Sequence, residues 1–441
     1  MMKNSQSNSN SRFTSRFDYL AKRNWVRQYL DFDINTYRIL PGEERAWKIF
    51  HDAATHVPAY KDFIKKHGID HKKVKNFSDI PITDKKNYIQ AYPLKDRVWQ
   101  SGGIIAMSSG TSGEPTFWPR GGYQEFEQAV THEMLYRKYF EIQKYKTLML
   151  VCFPMGMYIS GVATLIPSWL VGQKYPNLTL VSVGNRQADI LKALAHLKND
   201  YEQIALVGHP FIIKDVLERV KLKHQRVRIM CCSEGFSEDW RNYVEKLADA
   251  KVFNTYGSSE LLLMGYELPG KAGYSYNPFI RYVESVSGEL IFTAASGVPL
   301  VRFNLHDAGT VKGNTITLKG RSDHTIIMYA ANIYPEHVRV GLNRKSWYSK
   351  FTGKFSMEKK YTRSRDEQLA INIELRSGIK SNRILTARIQ ESVTENLKRI
   401  NHEYLDTFNR FGKKVIPVIK LLPYQEPKYF PQGLKPRYIL T

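Results

Sequence analysis

Nowhere in the 441 residues is there an uninterrupted apolar run of the ~18 to 20 residues that a bilayer-spanning helix needs, and the polar amino-terminal stretch lacks the apolar core of a secretion signal. A cytoplasmic protein is therefore expected. Cysteine is scarce: there are 3, and the adjacent Cys231 and Cys232 have neither a C-x-x-C spacing nor clustered histidines. That excludes a disulfide framework and argues against structural zinc. No G-x-x-x-x-G-K-[ST] phosphate loop and no G-x-G-x-x-G dinucleotide fingerprint occurs. Nor does a G-x-S-x-G elbow accompany His209, His306 or His324, so these are read as polar loop residues rather than a hydrolase's bases. Acidic residues are also short, 42 against 65 Lys plus Arg, which leaves a net charge of +23.

A surface with that excess attracts polyanions. The positive charge is spread in short pairs such as Lys65-Lys66, Lys72-Lys73, Lys85-Lys86 and Lys359-Lys360, with no compact nucleic-acid motif among them. A solvated basic face is favoured over a specific nucleic-acid site. What is present in quantity is apolar and aromatic residue, 42% and 12%, enough for a folded globule and not for a disordered chain. The length suits a large domain plus a smaller one.

Residues 1–11, rich in Ser and Asn, read as a tail. From Phe13 to about Gln100 the apolar residues recur at helical spacing, as in Trp25, Tyr29 and Phe32. Between Gly103 and about Leu318, short apolar runs (Thr147–Phe153, Thr179–Val183, Ile204–Gly208, Val227–Cys232) alternate with helical patterns (Asp189–Asn199, Phe211–Val220), which predicts an α/β sheet with a substantial parallel component. Beyond Gly320-Arg-Ser-Asp323 a smaller α+β unit is expected, with a strand over Leu369–Leu375 and a helix over Ser381–Arg399.

The densest chemical signal is Met107-Ser-Ser-Gly-Thr-Ser-Gly-Glu-Pro-Thr-Phe117, directly after the apolar Gly103-Ile-Ile-Ala106. Glycines allow close backbone approach, and Ser and Thr hydroxyls add donors, so such a loop can wrap a polyphosphate. By itself the run could equally be a solvated turn. Further along stand Phe253-Asn-Thr-Tyr-Gly-Ser-Ser-Glu260, Pro299-Leu-Val-Arg-Phe-Asn-Leu-His-Asp-Ala-Gly309 and Lys319-Gly-Arg-Ser-Asp-His-Thr-Ile-Ile-Met-Tyr-Ala-Ala-Asn-Ile-Tyr-Pro335. In this order and spacing the four segments resemble the core motifs of the adenylate-forming (acyl-AMP) ligase superfamily, phenylacetate-CoA ligase-like branch. Ala54–Tyr60 and Phe77–Lys85 resemble that branch's lead-in, so the resemblance covers most of the chain.

The resemblance implies a fold and a set of roles. It implies an adenylation domain over residues 12–320, a mobile C-terminal domain over 324–441, and a hinge near 321–323 at Asp323. Ser108, Ser109, Gly110, Thr111, Ser112 and Gly113 would hold the ATP phosphates, Thr111 with a catalytic part. Ser233, Glu234 and Gly235 would line the adenine and acyl pocket. Tyr256 would lie against adenine, Gly257 would be among the nucleotide-binding residues, Ser259 would stand near the α-phosphate, and Glu260 would bind Mg²⁺. Asp307 and Arg321 would reach the ribose.

Three departures stand out. Leu305-His306-Asp307 replaces a common Thr-Gly-Asp. Pro431-Gln-Gly-Leu-Lys435-Pro-Arg offers Lys435 as the catalytic lysine with one residue inserted after the glycine, and a hydrated surface lysine is the other reading. Tyr329-Ala330-Ala331-Asn332 replaces Arg-Gly-Val-Asn, where the added methyl group bears on CoA as acceptor and on φ.

The function expected is ATP- and Mg²⁺-dependent activation of a carboxylic acid. Transfer would follow to CoA, an acidic carrier protein or an amine, in a chain that can form a homodimer. The alternatives are a noncatalytic or adenylate-retaining binding protein of the same fold, and, more weakly, a nucleic-acid-associated basic protein.

Overall fold

A computed structural model describes residues 24–35, 42–99, 103–108, 116–222, 225–232, 238–248, 250–267, 273–278, 280–321, 325–342, 347, 350–430 and 439–440. The chain divides into two compact units between Gly320 and Arg321.

The lead-in of the first unit is helical but interrupted. After α1 (Trp25–Leu30), α2 (Gly42–His56) buries Ala46, Ile49, Phe50, Ala53 and Ala54, an i, i+3, i+4, i+7, i+8 stripe that faces the core. Pro58 at the first position of α3 (Pro58–Lys66) ends one helix and begins the next. The helical pattern does not continue to residue 100. Thr83 and Asp84 form a short strand, β1, followed by a π-helical stretch over Lys85–Ile89 and a short helix, α4 (Leu94–Arg97). Long-range contacts override local propensity here: the Thr83 hydroxyl donates to the Val301 carbonyl at 2.8 Å, and Arg302 donates to the Ile80 carbonyl at 2.6 Å.

A two-stranded hairpin, β2 (Ile104–Ser108) and β3 (Thr116–Arg120), precedes α5 (Gly122–Leu135). Strands and helices then alternate: β4 (Thr147–Cys152), α6 (Ile159–Lys174), β5 (Leu178–Val181), α7 (Gln187–Leu197), β6 (Gln203–Gly208), α8 (Pro210–Leu217), β7 (Arg226–Cys231), α9 (Glu238–Ala248) and β8 (Ala250–Ser258). Every residue of β4 and β6 is buried, as expected of strands covered on both faces. These strands run parallel in the order β5-β4-β6-β7-β8. At β8 the sheet changes character. Pairing becomes antiparallel with β9 (Leu262–Glu267) and continues through β10 (Tyr274–Tyr276), β11 (Tyr282–Val286), β12 (Glu289–Ala294), β13 (Leu300–Lys312) and β14 (Thr315–Arg321) in the order β9-β10-β14-β13-β12-β11. β1 joins parallel to β13.

The second unit begins with a hairpin, β15 (Ile326–Met328) and β16 (Ala331–Ile333), and then α10 (Pro335–Leu342). A separate four-stranded sheet follows, built from β17 (Phe351–Tyr361), β18 (Glu367–Leu375), β19 (Val418–Leu422) and β20 (Ile439–Leu440) in the order β19-β18-β17-β20. Two helices, α11 (Arg383–Ile400) and α12 (His402–Phe411), separate β18 from β19. The buried stripe Leu385, Ile389, Val393 and Leu397 of α11 supplies this unit's core. This is the large α/β domain with helical lead-in and the smaller α+β unit that the sequence predicts.

Candidate active site

The Ser/Gly-rich segment that reads in sequence as a polyphosphate loop falls between β2 and β3, which pair with each other. Ser108 ends β2 and is buried, and its hydroxyl accepts from the Trp118 indole N–H of β3 at 3.0 Å. Residues Ser109, Gly110, Thr111, Ser112 and Gly113 lie outside the described residues. The hairpin's far strand is pinned to the next helix: Arg120 donates to both oxygens of Glu125, at 2.6 and 2.7 Å. That bidentate pair fixes where β3 enters α5.

Glu260 lies at the turn from β8 to β9, where the parallel half of the sheet gives way to the antiparallel half. In open α/β sheets ligands bind beyond the carboxyl ends of such strands, at points where the topology changes. Ser258 pairs with Leu262, so the turn is Ser259-Glu260-Leu261. Leu262 closes it in the left-handed region at φ 60°, with Leu261 and Leu262 both buried. Gly257 is required just before, because a Cβ there would lie 2.7 Å from the Leu262 carbonyl oxygen. Ser259 and Glu260 are partly exposed. Ser233, Glu234 and Gly235, past the end of β7, lie outside the described residues.

Tyr256 and Asp307 come together. The Tyr256 hydroxyl donates to Asp307 Oδ2 at 2.6 Å, and both side chains are buried. Asp307 sits in a bulge of β13: Asn304 faces Ile291 and Ala308 faces Glu289, so three residues oppose one. His306 takes φ 61° within the bulge. The residue that replaces a glycine in the resemblance thus adopts the conformation that favours glycine. Its backbone is held by Asn304, whose Oδ1 accepts from the His306 N–H at 2.7 Å, while the ring stands 3.7 Å from Glu289 and 4.0 Å from Asp84. His306 is a strand residue at a bulge and not the loop residue expected.

Residues that the sequence did not single out support the Glu260 turn. The Ser296 hydroxyl donates to the Glu260 carbonyl at 3.3 Å and accepts from Gln124 Nε2 of α5 at 3.1 Å. Arg281 donates to the Leu261 carbonyl at 3.2 Å and to Glu127 of α5 at 2.9 Å. Arg45 of α2 completes this buried group through Glu127 and the Tyr123 hydroxyl. Burial and the neighbouring Arg45 push Arg281 down to about 9. Next to Ser296, a Cβ on Gly297 would lie 2.1 Å from the Pro119 carbonyl oxygen, so the same segment touches β3 of the loop hairpin. The only signal in the sequence was Ala295-Ser-Gly-Val298, which resembles an ordinary turn.

In the second unit the two-residue turn Tyr329-Ala330 joins β15 to β16, with Met328 paired to Ala331. Both turn residues are left-handed, at φ 47° and 65°. Glu367 accepts from the Tyr329 N–H at 2.6 Å, and the Tyr329 hydroxyl accepts from the Glu367 N–H at 3.0 Å. Arg321 ends β14, with its side chain outside what is described; Asp323 and Lys435 lie outside altogether.

Among the described residues no group of three or more His, Cys, Asp or Glu could hold a metal ion. Glu260 still fits Mg²⁺, which keeps its waters and commonly takes one or two carboxylates together with substrate phosphates rather than a protein cage.

No protein-family profile and no curated protein sequence matches the chain to a significant degree. Among solved structures, 2-hydroxyisobutyryl-CoA ligase, in an open conformation with 2-HIB-AMP and CoA, is similar at a TM-score of 0.55 and 16% identity over 93% of this chain and 97% of that one. An amide bond synthetase from Marinactinospora thermotolerans is similar at a TM-score of 0.45 and 13% identity, over 72% of this chain and 65% of that one. For o-succinylbenzoate CoA synthetase from Bacillus subtilis the values are 0.47, 14%, 72% and 65%. The ligase likeness, which spans nearly both chains, is one of fold: this chain is built as a large α/β domain followed by a smaller α+β one.

Proposed function

We propose that this chain is an adenylate-forming ligase, of the phenylacetate-CoA ligase-like branch, that activates a carboxylic acid with ATP. The substrate carboxylate oxygen attacks the α-phosphorus, the bond to the bridging oxygen of pyrophosphate breaks, and an acyl-adenylate and pyrophosphate result. A thiol or amine then takes the acyl group and AMP leaves. The observation that carries this reading is the Tyr256–Asp307 pair, together with Glu260 at the strand-end turn where the sheet changes from parallel to antiparallel. The fold shared with a ligase whose structure holds an acyl-AMP and CoA supports it.

In this reading Asp307 accepts from the ribose hydroxyls, and Tyr256 both orients that carboxylate and flanks the adenine. Gly257 brings the backbone close, and Ser259 stands by the α-phosphate. Glu260 would hold Mg²⁺, whose charge offsets that of the phosphates during in-line displacement. Ser108 to Gly113 would close on the β- and γ-phosphates, Thr111 among them, Ser233 to Gly235 would line the pocket, and Arg321 would assist at the ribose. Lys435 would stabilise the developing charge at the α-phosphate, and the C-terminal unit would turn about Asp323 between the two half-reactions.

The test is ATP–pyrophosphate exchange across a panel of carboxylic acids, with Glu260→Gln in parallel. Exchange should depend on one class of acid and on Mg²⁺. The folded Glu260→Gln protein should lose on the order of 10²-fold in rate, as when a preorganised charged group is removed. Undiminished exchange in that variant would take Glu260 out of the chemistry.

A further inference from the structure

One face of α5 is polar and buried, an arrangement that is costly unless every group has a task. Gln124, Glu127 and Gln128 follow at i, i+3 and i+4, so they share that face, and each is at most 4% exposed. Two of them lead to the Glu260 turn and the third to the strand that leaves it. Gln124 reaches the Glu260 carbonyl through the Ser296 hydroxyl. Glu127 reaches the Leu261 carbonyl through Arg281. Gln128 Nε2 points directly at the Leu263 carbonyl, at a long 3.5 Å.

From this we infer that α5 is a positioning rail for Glu260: its buried amides and carboxylate fix the backbone of the β8–β9 turn and thereby the placement of the Glu260 carboxylate. This rests on the reading of Glu260 as the Mg²⁺ ligand. The physical reason for a rail is that Mg²⁺ demands near-ideal octahedral geometry, and a carboxylate on a free turn would wander. Ser296 is the joint of the relay because a hydroxyl can accept from Gln124 and donate to Glu260 at once, which fixes the direction of both bonds. The same segment, through Gly297, abuts Pro119 of β3, so the rail holds the turn against the strand that follows the Ser/Gly-rich loop. Glu125, between the rail residues, holds Arg120 of that strand.

Two small changes test the rail without touching its charged half. Gln124→Met conserves volume and removes the donor; Gln124 Oε1 has no hydrogen-bond partner, so only the bond to Ser296 is lost. Ser296→Ala removes the joint. In calorimetric titration of the full chain with Mg²⁺ in the presence of ATP, as well as in ATP–pyrophosphate exchange, each variant, confirmed folded by circular dichroism, should raise the half-saturating Mg²⁺ concentration about five-fold, the scale of one hydrogen bond. The KM for the acid should be unmoved. The double variant should be no worse than either alone, because both break one relay. Folded variants with the parent's Mg²⁺ dependence, or effects that add in the double variant, would overturn the rail. If Glu260→Gln is inactive while both relay variants match the parent, only the rail falls. If Glu260→Gln is itself fully active, the ligase reading of the turn falls first.

Discussion

His306 shows how a single residue can depart from a pattern and keep its geometry. A bulge in β13 needs one left-handed residue before Asp307, and histidine meets that need at φ 61° with Asn304 bonded to its backbone. Left-handed backbone costs a non-glycine residue roughly 1 to 2 kcal/mol, which local bonds must offset. The substitution for glycine therefore leaves Asp307 where the Tyr256 hydroxyl meets it at 2.6 Å. Asp307→Ala should weaken ATP binding by about 1 to 3 kcal/mol, the range for losing a charged hydrogen-bonding group. Calorimetric titration of the folded variant checks this, and parental affinity would remove Asp307 from the nucleotide site. From sequence both residues were visible and the bond between them was not. Tyr256 and Asp307 lie 51 residues apart, and only the pairing of the strands between them closes that distance.

Among the elements, the β15–β16 hairpin has its turn chemistry against it. Two-residue hairpins of this kind favour Asn-Gly because both positions are left-handed, yet here Tyr329 and Ala330 occupy them. Buried Glu367 compensates by gripping both the Tyr329 N–H and, through its own N–H, the Tyr329 hydroxyl, while the ring stacks on Phe411 at 4.7 Å. Ala330→Gly keeps those bonds and removes a Cβ penalty, partly offset by the greater freedom glycine has when unfolded. It should therefore stabilise this unit by about 0.5 to 1 kcal/mol. Chemical denaturation of the full chain, followed by a probe in the second unit, measures it; a destabilised variant would mean that the methyl group makes a contact worth more than the strain. The sequence already marked Ala330 as the residue bearing on φ. It gave no hint of Glu367, because a glutamate that closes the charged run Arg363-Ser-Arg-Asp-Glu367 is ordinarily solvated. For the same reason nothing in the sequence singled out Gln124, Glu127 and Gln128.

For the molecule as a whole, α5 also carries a titrating group that links stability to pH. His132 is buried, its Nδ1 lies 2.7 Å from the Gln128 carbonyl, and its ring packs edge-on against Tyr136. Burial pushes it down to about 4. The folded protein therefore keeps His132 neutral where an unfolded histidine, near 6.5, has begun to take up a proton. Its contribution is constant above about pH 6.5 and falls as pH drops toward about 4, a loss on the order of 3 kcal/mol across the window. Urea unfolding of the parent and of His132→Gln over that range should show a shallower pH slope in the variant. Equal slopes would mean that the acid sensitivity lies in other groups. At neutral pH the two proteins differ only by packing and one hydrogen bond.

The sequence by itself determined the alternation of strands and helices through the first unit, the change of character after Gly320, and the order of four motifs. These properties are written locally, in the period of apolar residues and in runs of Gly, Ser and Thr at fixed spacing. It read the lead-in as helical throughout, and there, among the described residues, the one strand is Thr83 and Asp84, which pair with β13 between two short helical turns. Only the tertiary structure decided which polar residues support Glu260, why His306 and Ala330 tolerate positive φ, and that Tyr256 orients Asp307. Apart from the bond of Asn304 to the neighbouring His306, these depend on hydrogen bonds between residues far apart in the chain, and a buried bond of that kind leaves no periodic trace. A polar side chain looks the same in sequence whether water or a backbone carbonyl is its partner, and burial alone makes the difference.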